Sequence, residues 1–202
     1  MKIGFIGAGM IGRAVSAQLA QAGHDVLVSN SRGPESLREI FEPLGVTVGT
    51  VGEAAARDVV FLAVAWPDIP AALKGVDLSG KIVVDTNNPI VMPGFTRADT
   101  DGKTSSEVIA DLANGAHVVK AFNHMLATSY DEGPLVDGAP KLLFHSSDHA
   151  DAHAVARSLI EDLGYVPVDL GALITGGALH ESPGPLAGRV FVEPAVRGRD
   201  IV

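Results

Sequence analysis

The stretch Lys2–Gly12, KIGFIGAGMIG, decides the fold of this 202-residue chain. Its first residues, Lys2–Ile6, form an apolar run typical of a buried β-strand, and the pattern G-x-G-x-x-G follows at once as Gly7-Ala8-Gly9-Met10-Ile11-Gly12. In such a strand–turn–helix unit the three glycines permit a tight turn, the close approach of a pyrophosphate, and the contact of helix with strand. The stretch therefore predicts a dinucleotide-binding turn, the alternative being a glycine-rich turn that serves packing alone.

Apolar runs bounded by turn residues recur along the chain, with helix-like segments between them. Eight runs are predicted to be strands: Lys2–Ile6, Asp25–Val28, Val46–Val48, Val59–Val64, Ile82–Val84, Val118–Ala121, Lys141–Phe144 and Val166–Val168. Continuous apolar strands are typical of a parallel sheet buried on both faces. The alternation predicts a doubly wound, mostly parallel α/β sheet of the Rossmann type over residues 1–170, with a small carboxyl-terminal extension over 171–202.

Two helices are predicted from apolar residues at helical spacing. One follows the glycine-rich turn and ends at Gly23, and the other spans about Ala150–Leu163 and ends at Gly164. The segment Asn87–Lys103 contains two prolines and two glycines without periodicity, so it is predicted to be a long loop. After Asp169 the pattern weakens, and nothing there indicates a separate helical substrate domain.

The composition describes a globular chain and argues against several classes of function. Hydrophobic residues make up 47% of the chain and charged residues 19%, which is enough for a substantial core. The net charge of −9 argues against a surface that binds nucleic acid or an anionic membrane. No segment reaches the ~18 continuous apolar residues of a membrane span, and the amino terminus lacks the apolar core of a signal peptide. We therefore expect a soluble, cytoplasmic protein.

The residues that follow the second strand indicate whether the site binds NAD or NADP. An NAD site has a carboxylate here that accepts hydrogen bonds from the ribose hydroxyls, and that carboxylate would repel a 2′-phosphate. This chain instead offers hydroxyl, amide and guanidinium donors, in Ser29, Asn30, Ser31 and Arg32. We therefore predict NADP(H). The other interpretation, which is compatible with the first, is a polar helix N-terminus capped by Ser31 or Ser36.

Further candidates follow the other predicted strands, because ligands of this fold lie beyond the carboxyl ends of the strands. Trp66, the single tryptophan, is placed either to border the cofactor or to pack in the core. Asn87, Asn88 and Asn123 can bind the nicotinamide or its ribose, although asparagine also forms turns. His124 is placed to face a substrate and is the candidate catalytic residue, although a lone histidine is more commonly structural.

The sequence predicts neither a metal site nor a hydrolase. Cysteine is absent and the seven histidines are scattered. His145 and His149 are four residues apart, but the Ser-Ser-Asp between them is more typical of a strand-to-helix cap than of a ligand pair. No G-x-S-x-G elbow is present.

Several of these segments together resemble the NADP-dependent oxidoreductases of the coenzyme F420-dependent type. They are GFIGAGMIG (4–12), SNSRGPES (29–36), FLAVAW (61–66), VVDTNNP (83–89), VKAFN (119–123) and the late VDLG…GG…E (168–171, 176–177 and 181). The resemblance covers about residues 1–180 and is strongest over residues 1–90 and at KAFN. It implies a Rossmann domain that binds NADPH, with hydride passing between C4 of the nicotinamide and C5 of the deazaflavin F420.

The resemblance also implies roles for individual residues. The glycine-rich turn, Gly7-Ala8-Gly9-Met10-Ile11-Gly12, would cradle the pyrophosphate, and Ser29–Arg32 would hold the 2′-phosphate. The rest of the cofactor site would comprise Ala65, Trp66, Asn87, Asn88, Pro89 and Asn123. The substrate face would comprise Asn88, His124, Gly176 and Gly177.

The identity of the hydride acceptor stays open at this point. No motif reports F420 itself, so a flavin, a quinone or a ferric chelate is an alternative, as is a non-catalytic module that senses NADP. β-Hydroxyacid dehydrogenases close a similar amino-terminal half with an added helical domain, whereas hydride transfer between two stacked cofactors needs chiefly alignment and water exclusion. A domain without its own lid can complete its site in a homodimer, for which the apolar segment VFVEPAV (190–196) is the candidate contact.

Overall fold

The computed structural model describes residues 1–193, which are organised around one eight-stranded sheet. The strands in chain order are β1 (Lys2–Ile6), β2 (Asp25–Ser29), β3 (Thr47–Gly49), β4 (Val59–Leu62), β5 (Ile82–Asp85), β6 (Ile90–Val91), β7 (Thr96–Arg97), β8 (His117–Ala121), β9 (Leu135–Val136), β10 (Ala139–Pro140), β11 (Leu142–Ser147) and β12 (Val166–Asp169). Four short ones, β6 with β7 and β9 with β10, pair as antiparallel hairpins outside the main sheet.

Helices cover both faces of the sheet. They are α1 (Met10–Gln21), α2 (Arg38–Phe41), α3 (Val51–Ala55), α4 (Ile69–Leu73), α5 (Ser105–Leu112), α6 (Ala127–Asp131), α7 (Ala150–Asp162) and α8 (Ala178–His180), and a π-helical turn at Leu173–Gly177 leads into α8. Over residues 1–193, no helix combines the length and the apolar character that a membrane crossing requires.

The strand order is β12-β11-β8-β5-β4-β1-β2-β3. The six strands from β3 to β8 run parallel, β11 runs antiparallel to β8, and β12 runs parallel to β11. The chain moves outward from β1 in one direction through β2 and β3, and then returns to continue on the other side with β4. This order confirms the predicted doubly wound, mostly parallel sheet, and it places a crevice where the direction reverses, between β1 and β4.

The central strands are apolar on both faces because each face carries its own core. In β1, Phe5 belongs to the cluster under α1 and α7, while Ile6 belongs to the cluster under α3, α4 and α5. The rings of Phe5 and Phe61 stack with centroids 4.4 Å apart, which locks β1 to β4. This double burial explains why the strands appear in the sequence as continuous apolar runs rather than alternating ones.

The ends of several helices follow from local chemistry. Both α3 and α5 begin with a capping box, Thr50 with Glu53 and Thr104 with Glu107. Helix α1 stops before Gly23, and this glycine takes φ +92°, as a left-handed helix end requires. The boundaries of α1 and α7 therefore lie within a residue or two of those predicted from the sequence.

Two regions without a sequence pattern have regular structure. The predicted loop Asn87–Lys103 contains the β6–β7 hairpin. Residues 171–193, the described part of the predicted extension, pass along β8 and β11, where Leu142 donates a backbone hydrogen bond to the carbonyl of Phe191. The last residues of the candidate dimer contact VFVEPAV, 194–196, lie outside the described residues, and the homodimer stays a prediction.

Candidate functional site

A cleft of about 590 Å³ opens at the carboxyl ends of β1, β2 and β4, where the strand order reverses. It is lined by Ile6, Gly7, Ala8, Gly9, Asn30, Ser31, Arg32, Val51, Ala63, Val64, Ala65, Asp68, Ala71 and Ala72. In doubly wound sheets this is the position in which dinucleotides bind. The sequence had not indicated Val51, Asp68, Ala71 or Ala72, which enter the cleft from α3 and from the turn and helix after β4.

Glycine occupies the three positions of the turn for different structural reasons. Gly7 takes φ +114°, and a Cβ there would lie 2.2 Å from the Ala63 carbonyl oxygen. A Cβ on Gly12 would lie 2.7 Å from the Gly7 carbonyl oxygen, so both positions need glycine for packing. Gly9 differs, because no atom lies within 4 Å of an added Cβ. Gly9 also starts α1 without a side-chain cap or an acidic first turn, which leaves backbone N–H groups available to an anion. These residues fit a pyrophosphate.

Gly9→Ala is expected to weaken binding of both NADPH and NADH about tenfold, because the methyl group would occupy the open side of the turn. The backbone at Gly9, φ −74°, suits alanine, so we expect the free energy of unfolding to stay within about 1 kcal/mol of the wild type. Parallel calorimetric titrations and urea unfolding test this. Gly7→Ala is the contrasting variant and should lose about 2–5 kcal/mol of stability from strain and overlap. Normal nucleotide affinity in Gly9→Ala would contradict the assignment.

The residues after β2 present one cation to the cleft. Asn30 shapes the turn, since its Oδ1 accepts a hydrogen bond from the Arg32 backbone at 2.9 Å and its Nδ2 donates to Ser36 Oγ at 2.9 Å. Ser31 and Arg32 are exposed at the cleft. Among residues 1–193, no carboxylate lies within ion-pair distance of Arg32. This arrangement suits a 2′-phosphate, whose charge an acid here would repel.

The prediction that Ser29 binds the 2′-phosphate is wrong. Ser29 is the last residue of β2 and is fully buried, and its hydroxyl donates a 2.8 Å hydrogen bond to the Phe5 carbonyl. The hydroxyl therefore points into the sheet. Of the four predicted donors, three line the cleft.

Ala65 and Trp66 separate in the structure. Ala65 lines the cleft. Trp66 is half-buried and packs against the core cluster that contains Leu62 and Ile69. Packing against the core accounts for one side of Trp66, and a contact of its exposed part with the cofactor stays a prediction.

The asparagines at the ends of β5 and β8 join neighbouring segments. The Asn88 and Asn123 side chains are linked by a 3.1 Å hydrogen bond. Both also hold the carboxyl-terminal segment, since Asn88 Oδ1 accepts from the Ser182 backbone at 2.9 Å and Asn123 Nδ2 donates to the His180 carbonyl at 2.8 Å. Asn123 Oδ1 is buried and has no hydrogen-bond partner in residues 1–193. A role for this pair at the nicotinamide stays a prediction.

The structure does not present Asn87 and Pro89 to a cofactor. Both are buried. The Asn87 amide nitrogen donates to the Leu62 carbonyl and to Asp85 Oδ1, each at 2.9 Å. The Pro89 carbonyl accepts a hydrogen bond from Ala98 across the loop. The predicted cofactor contacts of these two side chains are therefore wrong, because β5 turns them into the protein.

A buried ionic network lies beneath these strand ends, and sequence reasoning missed it. Lys120 Nζ is 3.1 Å from Asp85 Oδ2 and 2.7 Å from Ser105 Oγ, and both charged groups are fully buried. Ser105 Oγ in turn donates to Glu181 at 2.8 Å, and Glu181 pairs with Arg97 at 2.7 Å. The network ties β5, β8 and α5 to the carboxyl-terminal segment. The available signal was a lysine inside the apolar strand VVKAF, since a buried charge requires a partner.

His124 does not face a substrate. It is 1% exposed, its ring packs 4.7 Å from that of Phe144, and neither ring nitrogen has a hydrogen-bond partner in the described part of the chain. Burial lowers the pKa of His124 to about 4, so the imidazole is neutral at physiological pH. The prediction of a catalytic His124 is wrong, because residues after 180 fold across it and Gly188 donates a hydrogen bond to its carbonyl.

The predicted substrate contacts of Gly176 and Gly177 are also wrong. Both glycines are buried in the π-helical turn. A Cβ on Gly176 would lie 2.2 Å from the Leu170 carbonyl oxygen, and one on Gly177 would contact the Lys120 side chain at 3.8 Å. At Gly176 glycine serves the close approach of two backbone segments.

His124→Leu is expected to keep hydride transfer unchanged and to make the protein less acid-sensitive. The pKa of His124 in the folded protein, about 4, lies below its ordinary value of 6.5. Below pH 6.5 the histidine therefore binds a proton in the unfolded chain but stays neutral in the folded protein. Stability is complete above pH 6.5 and falls as the pH drops towards 4, by about 1.4 kcal/mol at pH 5.5. Urea unfolding at pH 7.5 and 5.5 should show a loss that is larger in the wild type than in His124→Leu by about 1.4 kcal/mol, because the buried His145 and His180, whose pKa values are also lowered, act in both proteins. Equal pH dependence of the two proteins would refute the account.

The histidines form groups that their sequence spacing does not show. His145 and His149 do not pair with each other. His117, His149 and Asp151 lie together near the start of α7, and His145, His153 and Asp169 lie together between β11, α7 and β12. No side chain caps the first turn of α7, whose N-cap is His149; the Ser147 hydroxyl accepts a hydrogen bond from the His149 backbone at 3.1 Å, in the turn that leads into the helix.

The chain has relatives among solved structures and curated proteins. A hypothetical protein of Sinorhizobium meliloti is 36% identical, with 96% of this chain and 97% of that one aligned at a TM-score of 0.90. A protein of Arthrobacter sp. FB24 assigned as an F420-dependent NADP reductase is 29% identical over 86% of each chain, with a TM-score of 0.73. Metalloreductase STEAP3 of Rattus norvegicus is 27% identical over 90% of this chain, which spans 36% of that protein's length.

More distant structures share the fold alone. A reductive aminase of Aspergillus terreus, solved with NADPH4, aligns with a TM-score of 0.63 at 18% identity.

The model of the family described as NADP oxidoreductase, coenzyme F420-dependent, matches residues 2–89, which contain the glycine-rich turn, the end of β2 and the β4 and β5 strands. Together with the cleft, these similarities lead to one conclusion: over residues 2–89 the chain belongs to the coenzyme F420-dependent family of NADP oxidoreductases.

Proposed function

We propose that this chain transfers hydride between NADP(H) in the cleft and the deazaflavin coenzyme F420. The observation that carries the proposal is the unpaired cation at the end of β2, Arg32, on a chain of a family described by both cofactors. In the reducing direction, hydride leaves C4 of the nicotinamide and bonds to C5 of the deazaflavin. A proton from water completes the reduced ring, and NADP⁺ is released.

The residues of the chain would bind and align the two ring systems. The N–H groups after Gly9 would hold the pyrophosphate, and Ser31 and Arg32 the 2′-phosphate. At the ends of β5 and β8, Asn88 is the partly exposed amide, and the segments Asp85–Asn88 and Phe122–His124 contain no exposed imidazole. Hydride transfer between two bound cofactors needs alignment and exclusion of water rather than a general acid. The site therefore suits that reaction class.

A second candidate is an NADPH-dependent reductase of another acceptor, such as a flavin or a ferric chelate. The similarity to metalloreductases over 90% of this chain favours it. The chain spans about a third of the length of those proteins, and the rest of their length has no counterpart in this alignment. The cleft itself is common to both candidates.

The decisive experiment mixes the protein with NADPH and oxidised F420 without oxygen and follows the absorbance of both. Parallel reactions replace F420 with FMN or a ferric chelate at equal concentration. Rapid, stoichiometric loss of both chromophores supports the first proposal. Turnover with FMN or the ferric chelate alone supports the second. Saturable NADPH binding with no turnover in any arm would overturn both and indicate a module that senses NADP.

A further inference from the structure

A separate group of side chains lies towards the opposite edge of the sheet from the nucleotide cleft. His145 on β11, His153 on α7 and Asp169 at the end of β12 converge there, with one possible ligand atom from each within 4.8 Å of the others. His153 Nδ1 lies 3.1 Å from His145 Nδ1 and 3.4 Å from Asp169 Oδ2. Strand β11 is four positions from β1 in the sheet, or roughly 19 Å at the usual strand spacing. The nucleotide site therefore does not account for this group.

The hydrogen bonds around His153 fix which of its nitrogens carries a hydrogen. His153 Nε2 lies 2.9 Å from the Ser147 carbonyl oxygen, which can only accept, so Nε2 is the donor. The neutral imidazole then has a lone pair on Nδ1, and this lone pair faces the Asp169 carboxylate. If His145 Nδ1 carries a hydrogen, it can donate a hydrogen bond to His153 Nδ1. The contact of His153 Nδ1 with Asp169 Oδ2 would still join two hydrogen-bond acceptors, which repel each other. A cation between the three atoms removes the repulsion.

Two of the three ligand side chains, Asp169 and His153, are also held as metal ligands are, by a hydrogen bond to the atom that does not face the group. Asp169 Oδ1 accepts a hydrogen bond from the Gly171 backbone at 2.8 Å, which leaves Oδ2 for the group, and the Ser147 carbonyl orients His153 in the same manner. Around a tetrahedral zinc ion with bonds of about 2.0–2.1 Å, ligand atoms are about 3.3 Å apart. The two separations at His153, 3.1 and 3.4 Å, match this value.

We propose that His145, His153 and Asp169 bind one divalent transition-metal ion, with Zn²⁺ as the best match. Two imidazoles and one carboxylate favour Zn²⁺ or Co²⁺ over Mg²⁺ and Ca²⁺, which prefer oxygen ligands. The Asp169 side chain is 40% exposed, so water can fill the fourth position. The ion links β11, β12 and α7, and it therefore stabilises this edge of the sheet. The sequence had predicted no metal site, because the three ligands meet only through the fold.

The other histidine group provides a matched control. His117 Nδ1 lies 2.6 Å from Asp151 Oδ2, a hydrogen-bond distance that is too short for two ligands of one metal. The His117 and His149 rings stack with centroids 4.1 Å apart. A shared proton accounts for this group fully, so His149→Gln should leave metal binding unchanged.

The test uses the untagged protein after treatment with EDTA. Zn²⁺ is titrated against a chromophoric chelator, and Co²⁺ binding is followed by its visible absorption. We expect one site in the wild type and in His149→Gln. We expect at least a hundredfold loss of affinity in Asp169→Asn and His153→Gln, more than the 10- to 100-fold cost of losing an outer hydrogen-bond partner of a ligand. Melting curves of the metal-free variants establish that they fold.

Zinc should also raise the melting temperature of the wild type and of His149→Gln but not that of the two ligand variants. Absence of saturable binding to the wild type would overturn the proposal. Equal affinity in all four proteins, or loss of binding in His149→Gln alone, would also overturn it. NADPH titrations should be the same with and without zinc, so the outcome is independent of the proposed function.

Discussion

Replacing Arg32 with alanine is expected to weaken NADPH binding about a hundredfold while NADH binding stays within about twofold of the wild type. Arg32 is exposed at the cleft and has no carboxylate partner in residues 1–193, so its guanidinium is available to a phosphate dianion. Charge-assisted hydrogen bonds contribute about 1.5–3 kcal/mol each, and the loss of about 2.7 kcal/mol corresponds to a hundredfold in affinity. NADH lacks the 2′-phosphate and loses nothing.

The measurement is a pair of calorimetric titrations with NADPH and NADH at one fixed ionic strength. Arg38→Ala is the matched control, because Arg38 is a nearby exposed arginine that is already paired with Glu35 at 3.0 Å and Glu42 at 2.8 Å. The control should bind both nucleotides as the wild type does. Salt should weaken NADPH binding to the wild type more than to Arg32→Ala. Equal losses for the two nucleotides in Arg32→Ala would remove the 2′-phosphate assignment.

The central sheet could be predicted because its strands are buried on both faces. Runs such as Lys2–Ile6 and Val59–Leu62 are continuous apolar segments, and glycines at the helix ends mark where each connection turns. The glycine-rich turn could also be predicted, because Gly12 must be glycine to avoid a steric overlap with Gly7 inside one local strand–turn–helix unit, and Gly7 has a backbone conformation that favours glycine. Local chemistry therefore accounts for the fold and for the pyrophosphate half of the site.

Side-chain direction at the strand ends could not be predicted. In β2 every residue from Val26 to Ser29 is buried, so no alternation shows which side Ser29 faces, and its neighbour Ser31 is the one exposed at the cleft. His124 was misjudged because its burial depends on a segment more than 50 residues later in the chain, where the Gly188 backbone meets its carbonyl. That segment includes a π-helical turn, whose sequence has no recognisable period.

The largest expected loss of stability is for Lys120→Met, at about 3–5 kcal/mol. The change keeps the length and most of the volume of the side chain but removes its charge. Asp85 would then remain fully buried without a cation, and Ser105 Oγ and the Asn87 carbonyl would lose a donor. Removing one partner of a buried pair has this cost because it leaves the other charge uncompensated.

Urea unfolding of Lys120→Met, Asp85→Asn and the double variant tests the pair as a cycle. In the double variant neither charge remains, so its loss should be smaller than the sum of the single losses by at least about 1 kcal/mol. Lys81→Met is the control, because the Lys81 side chain is partly exposed and donates a hydrogen bond to the Ala56 carbonyl at 3.2 Å; its loss should be below about 1 kcal/mol. Additive losses in the cycle would show that Lys120 and Asp85 do not act as a pair.

The network also ends on Glu181, which receives two hydrogen bonds from Ser105. The variant should therefore loosen the hold of the carboxyl-terminal segment on Asn88 and Asn123, and hydrogen exchange at the Ser182 amide should rise along with the loss of stability.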